Sequence, residues 1–185
     1  MQPVLNPRYS LVIPVYRNSE NIGDLVPACR ALHDALAGRL EVIFVVDGSP
    51  DDSHARLAAL LPSSGLRAQL ISLSRNFGSF AAIREGLLHA RGAFAAVMAA
   101  DLQEPPELVL DFFTRLERGE GDIAFGVRES RSDPAVSRMF SAMFWRVYRS
   151  FVQRDVPVGG VDVFAINRAF LDRVTGFSEA NSSLL

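Results

Sequence analysis

Short apolar runs alternate with longer amphipathic stretches from residue 10 almost to the C-terminus, and this alternation predicts an α/β architecture. The runs SLVIPV (10–15), LEVIFVV (40–46), AQLISL (68–73), AFAAVMA (93–99) and DIAFGV (122–127) have strand length. Their near-continuous apolar character predicts a parallel sheet covered on both faces, with none of the five strands half-exposed. Helical periodicity fills 20–37, 52–61, 79–90 and 106–118. The last of these opens on Pro105 and Pro106, where a missing N–H costs nothing because the first amides of a helix lack an intrahelical partner. A further helix is predicted over 134–153, a short strand over 161–166 and a final helix over 168–175. No internal repeat, low-complexity segment or linker interrupts the pattern, so residues 1–185 are expected to form one domain.

In an open parallel sheet the ligand crevice lies at the carboxyl ends of the strands, which makes the residues just after each strand the ones to read for chemistry. The first strand runs into Tyr16, Arg17, Asn18 and Glu20; the second into Asp47, Gly48, Ser49, Asp51 and Asp52; the third into Ser74, Arg75, Asn76 and Gly78. The fourth leads to Asp101, Gln103 and Glu104, and the fifth to Gly126, Arg128 and Arg131. Acids, amides and arginines are thus expected to converge on one edge.

Composition narrows the function classes. A chain of 185 residues, 49% hydrophobic, buries enough surface to fold without disulfides or a structural metal. The single cysteine, Cys29, excludes a disulfide scaffold and a Cys-based zinc site, and His33, His54 and His89 are too scattered in sequence to suggest a ligand cluster. All 19 basic residues are arginines, yet 21 acids leave a net charge of −2, which argues against nucleic acid as a partner. No apolar run approaches the roughly 20 residues of a membrane span, and MQPVLNPR lacks the apolar stretch of a signal peptide, so the chain is expected to be soluble or peripheral.

The segments VIPVYRNSENI, VVDGSPDDS, LSRNFG, VMAADLQEPPEL, GVRESR and GGVDVFAINR occur in the order seen in the family 2 glycosyltransferases of GT-A fold, and the chain resembles them over roughly residues 9–185. Its nearest likeness is to the branch that makes polyprenyl-phosphate sugars, like dolichol-phosphate mannose synthase. The resemblance implies a GT-A, Rossmann-like, mostly parallel sheet with helices on both faces. It also implies a nucleotide-diphosphate sugar donor, a divalent metal (Mg²⁺ or Mn²⁺), inversion at the anomeric carbon and a lipid phosphate acceptor such as undecaprenyl or dolichyl phosphate. Members of that branch usually continue into membrane helices. The expected location is therefore cytoplasmic, peripheral on the inner face of the cell membrane or anchored by segments outside this chain. The membrane surface and a second copy of the chain are further candidate partners.

Carried over by position, the resemblance places Asp101 and Gln103 near the metal. Family members commonly have a second carboxylate at the position of Ala99. Because Mg²⁺ keeps several waters and takes substrate phosphates as ligands, one carboxylate and one amide suffice, with weaker affinity and a metal that arrives with the nucleotide. Asp47 is expected at the base or ribose alongside Pro14, Tyr16 and Glu20, although Val46 stands where the family often has a further acid. Arg75, Asn76 and Gly78 border the donor, whereas Asp51, Asp52 and Ser53 are assigned to the start of a helix, where negative charge is favoured. Arg128 and Arg131 are expected to act on the diphosphate or the acceptor phosphate, since a guanidinium fork binds phosphate oxygens bidentately. Arginines 138, 146, 149 and 154 flank an apolar stripe over 140–151, which reads both as core and as an interfacial helix facing anionic headgroups.

A hydroxyl acceptor would call for a general base, and Asp162 is the acid the family places nearest the site. A lipid phosphate needs none, because its second pKa near 6 leaves an oxygen anionic at neutral pH. Asp101, Arg128 and Arg131 are then the catalytic candidates, working by positioning and electrostatics. Two alternatives stay open: transfer to a glycan hydroxyl, and a nucleotide-sugar-binding module without turnover.

Overall fold

The computed structural model describes residues 7–126 and 163–176. Six strands form one sheet: β1 (Tyr9–Val15), β2 (Leu40–Val46), β3 (Arg67–Ser72), β4 (Phe94–Val97), β5 (Ile123–Phe125) and β6 (Phe164–Asn167), in the order β3-β2-β1-β4-β6-β5. β1 pairs in parallel with β2 and β4, β2 in parallel with β3, and β6 antiparallel with both β4 and β5. β6 is therefore the one reversed strand among those described, and β1 to β5 all present their carboxyl ends to the same edge. The α-helices among the described residues are α1 (Ile22–Ala35), α2 (Ser53–Leu60), α3 (Ser79–His89), α4 (Glu107–Glu117) and α5 (Arg168–Gly176).

Alternation along the central strands divides the core between the two faces of the sheet. Leu11, Ile13 and Val15 of β1 pack with Ile22, Leu25 and Cys29 of α1, Leu57 of α2 and Phe112, Phe113 and Leu116 of α4. Val12, Ile43 and Val45 face the other way, with Ala82 and Leu87 of α3 and Leu171 of α5. Gly86 lets α3 lie close to the sheet, because a Cβ there would sit 2.3 Å from Val12 Cγ1.

Each predicted element within the described residues is present, with no boundary shifted by more than three residues. Full coverage of every strand is not observed. β3 is half-buried along its length and β5 exposes Ile123 and Phe125. Among the described residues both are sheet edges, each with a strand on one side only, and an apolar run cannot distinguish an edge from a central strand. The predicted helix over 134–153 lies outside the described residues. None of the described helices is long and apolar enough to cross a membrane.

The amino end of the sheet is closed by polar contacts. Glu41, buried on β2, accepts from Ser10 Oγ at 2.7 Å and Arg91 N at 2.7 Å, while Ser10 Oγ accepts from Gly92 N at 2.9 Å. These bonds satisfy a carboxylate that burial would otherwise penalise heavily.

Candidate active site at the carboxyl edge of the sheet

β1 lies between β2 and β4, so the turns carrying Tyr16, Asp47 and Asp101 are neighbours at one edge. Pro14 is tolerated in a central strand for a local reason. Val12 O accepts from Met98 N on the β4 side and Val15 O from Asp47 N on the β2 side, so Pro14, two residues after Val12, faces β4 beyond its last paired residue. The missing N–H therefore leaves no ladder bond unmade.

The turn after β2 binds the loops on either side of it. Towards β1, Arg17 N donates to Ser49 Oγ at 2.7 Å, Asn18 N to Ser53 Oγ at 3.3 Å and Ser19 N to Asp51 Oδ2 at 3.0 Å. Asp51 Oδ1 also accepts from Ser49 Oγ at 2.7 Å and Ser53 N at 3.2 Å. Towards β3, Asp47 Oδ1 accepts from Phe77 N at 2.7 Å and Oδ2 from Gly78 N at 2.8 Å. Gly48, at φ +54°, lies flush against the Arg75–Asn76 backbone: a Cβ there would fall 2.2 Å from the Arg75 carbonyl carbon.

Two arginine–aromatic pairs flank this turn. The Arg17 guanidinium lies 5.4 Å from the centre of the exposed Tyr16 ring, and that of Arg75 lies 4.2 Å from the Phe77 ring, which is 49% exposed. Both are at cation–π distance. Glu20, three residues beyond Arg17 in the same loop, is exposed.

On the other flank of β1, Leu102 adopts φ +56° between Asp101 and Gln103, and Gln103 N donates back to Asp101 Oδ1 at 3.2 Å. This tight turn holds a half-buried carboxylate and an exposed carboxamide together at the edge. Among the described residues no group of three or more His, Cys, Asp or Glu side chains converges on one point. The donor set of Asp101 and Gln103 does not form a closed cage, but it fits Mg²⁺ or Mn²⁺ taking its remaining ligands from water and substrate phosphate. Arg128, Arg131 and Asp162 lie outside the described residues. Ala99 is half-buried, and Val46 is buried in the core, where its side chain fills the apolar layer beneath α1.

One assignment differs from the sequence expectation, and another residue has partners that the sequence did not show. Asp51 is not merely a helix-start residue, because its carboxylate also joins the turn after β2 to the loop after β1. Asp47 is 2% exposed, and its two oxygens are occupied by backbone amides of the loop after β3. Neither partner set is visible in VVDGSPDDS, since both depend on loops distant in sequence. Phe77 was also missed; an aromatic in a polar loop between Asn76 and Gly78 was the available signal.

Burial alone would raise the Asp51 carboxyl, but hydrogen bonds from Ser49, Ser53 and Ser19 outweigh it and hold the group well below the usual carboxylate range. A depressed folded-state pKa contributes stability that is complete above the unfolded value, near 3.9, and is lost as pH falls towards the folded one. Asp51→Asn is therefore expected to reduce unfolding stability by about 1 to 2 kcal/mol at pH 7, somewhat less than fully buried hydrogen bonds to a charged group would give. The deficit should shrink below about pH 4. Denaturant unfolding at pH 7, 4.5 and 3 measures this; a deficit that grows in acid would contradict it.

The family described as Glycosyl transferase family 2 matches residues 10–175. The dodecaprenyl-phosphate galacturonate synthase of Rhizobium johnstonii is 35% identical over 131 residues, covering 71% of this chain and 39% of that protein. The undecaprenyl-phosphate 4-deoxy-4-formamido-L-arabinose transferase of Pseudomonas fluorescens is 34% identical over 161 residues, 87% of this chain and 46% of its own. Among solved structures, a mannosyltransferase from Pyrobaculum calidifontis in complex with GDP-Man and Mn²⁺ superposes with a TM-score of 0.68 at 20% identity, covering 95% of this chain and 48% of the other. The chain spans about half the length, or less, of the curated relatives it matches.

Proposed function

The chain belongs to glycosyl transferase family 2, and from that premise we propose that it is the donor-binding catalytic part of an inverting glycosyltransferase that moves a sugar from a nucleotide-diphosphate sugar to a polyprenyl phosphate. The observation that carries the reading is the alignment of most of this chain with two relatives whose names specify polyprenyl-phosphate sugar transfer. The crevice supports it. Tyr16 and Arg17 after β1 and Arg75 and Phe77 after β3 offer flat and cationic surfaces to a nucleotide, with Glu20 and Pro14 on the same side. Asp47 serves the same side from beneath.

Asp101 and Gln103 would hold a divalent ion, whose chemistry is to neutralise charge on the departing diphosphate. The rest falls to the protein's own groups. The turn at Leu102 keeps Asp101 and Gln103 at the edge, Arg75 meets donor charge, and Arg128 and Arg131, two and five residues beyond Gly126, are assigned to the diphosphate and the acceptor phosphate. No general base is required, because the acceptor oxygen is already anionic. An acceptor of this kind places the protein at the inner face of the cell membrane, peripherally or through segments outside this chain.

Incubation of the full-length protein with UDP- and GDP-sugars, undecaprenyl phosphate in detergent and Mn²⁺ or Mg²⁺ tests the proposal. The expected result is a lipid-linked product of inverted anomeric configuration that disappears with EDTA. Transfer to a glycan hydroxyl instead, or nucleotide binding without turnover, would overturn it.

A further inference from the structure

The loop after β1 is held by side chains of the turn after β2. Arg17, Asn18 and Ser19 are consecutive, and their amides donate to Ser49 Oγ at 2.7 Å, Ser53 Oγ at 3.3 Å and Asp51 Oδ2 at 3.0 Å. Asp51 links these contacts, because its Oδ1 also accepts from Ser49 Oγ at 2.7 Å and from Ser53 N at 3.2 Å. A Ser49 hydroxyl that gives its one proton to Asp51 keeps only lone pairs for Arg17 N, so the carboxylate orients that bond as well as making its own.

Arg17 is the residue in this loop that needs holding. It adopts φ +56°, in the left-handed region that long side chains avoid. Tyr16 N donates across it to Asn18 Oδ1 at 3.0 Å, which closes a tight turn. The Tyr16 ring and the Arg17 guanidinium, both exposed, then lie 5.4 Å apart at the edge of the crevice. Untethered, a non-glycine residue takes this conformation about one time in ten. Sparsely populated backbone conformations persist where surrounding contacts over-determine them, and they preorganise sites.

We propose that Asp51 is a positioning residue for the donor: with Ser49 it holds the backbone of Arg17 left-handed and thereby fixes Tyr16 where the nucleotide meets it. This rests on the donor-site reading above and adds to it a residue that touches no donor atom.

The test sets Asp51 against the conformation it holds. In the nucleotide-free, full-length protein the Arg17 and Ser19 amides should exchange at least about tenfold more slowly than unstructured amides. Exchange at the unstructured rate overturns the clamp without any variant. Asp51→Asn should raise donor KM, and the Kd for UDP or GDP with Mn²⁺, about tenfold with kcat changed less than about threefold, because only the competent fraction of loops binds. Ser49→Ala, which keeps the charge, should raise the same Kd at least about threefold, and Ser49→Thr should stay within about twofold of wild type. Glycine adopts φ +56° as readily as its mirror image, so on an Arg17→Gly background Asp51→Asn should change donor affinity less than about threefold. On an Arg17→Ala background, where a Cβ again opposes the conformation, the full effect should return. Equal effects on the wild-type and Arg17→Gly backgrounds would mean general loosening or direct contact with the nucleotide, and overturn the proposal. Loss of the effect on the Arg17→Ala background would assign it to the guanidinium and overturn it too. Failure of the wild-type protein to bind either nucleotide, with both amides protected, would instead overturn the donor reading and the role given to Tyr16.

Discussion

Gly48→Ala is expected to disrupt the crevice more than any other single methyl group added to the protein. Two costs coincide there. The residue sits at φ +54°, where an L side chain costs about 1 to 2 kcal/mol. Its new Cβ would also meet three backbone atoms of Arg75 and Asn76 at 2.2 to 2.5 Å, and backbone cannot rotate away as a side-chain tip can. Overpacking of this kind typically costs a further 1 to 3 kcal/mol or so, which brings the expected loss of unfolding stability to about 2 to 5 kcal/mol. The turn after β2 and the loop after β3 must part. Because a displacement of about 1 Å in a positioning group can cost roughly 100-fold in rate, transfer should fall by at least that much. Gly78→Ala is the informative control: its φ of +96° imposes strain, but nothing lies within 4 Å of its Cβ. Thermal unfolding and donor titration of the two variants separate strain from collision. Wild-type behaviour in Gly48→Ala would show that the two loops are not held together as described.

Asp101→Asn should produce the opposite combination, a large loss of transfer with little loss of fold. The asparagine carbonyl can still accept from Gln103 N, so the turn at Leu102 survives while the negative charge is removed. Groups that merely orient a metal ligand typically cost about 10- to 100-fold when changed, so loss of the charged ligand itself should lower metal-supported turnover by roughly 100-fold or more. Mn²⁺ titration provides a second readout. Binding to the nucleotide-free protein should be weak, strengthening when UDP or GDP is present, and the variant should lose most of that gain. Tight metal binding without nucleotide, unaffected by Asp101→Asn, would remove Asp101 from the metal site.

Periodicity located the elements because strand and helix periods are local properties of the chain. The residues at the strand ends were legible for the same reason, since the rule that ligands meet carboxyl ends needs only strand positions and direction. What could not be read was contact across sequence. Asp47 and Asp51 are four residues apart in one acidic segment, yet one is turned to the loop after β3 and the other to the loop after β1. Nothing in their spacing distinguishes those directions. Edge position was hidden too: AQLISL and DIAFGV are as apolar as central strands, and their exposure follows from strand order, which depends on pairings between distant segments. Val46 illustrates the reverse case. A missing acid in a motif reads as a lost function, whereas the structure shows a side chain recruited to the core.

The reversal of β6 has a consequence for how such a domain can diversify. Gly126, just beyond β5, and Val163, just before β6, are joined by a backbone hydrogen bond of 3.1 Å at the carboxyl edge. The chain thus leaves the sheet at Gly126 and returns to it at Val163 through one closed stem. The entropy of closing a flexible loop rises by only about 0.6 kcal/mol for each doubling of length. A connection that starts and ends at such a stem can be lengthened, shortened or exchanged with little thermodynamic effect on the strands that carry Tyr16, Asp47 and Asp101.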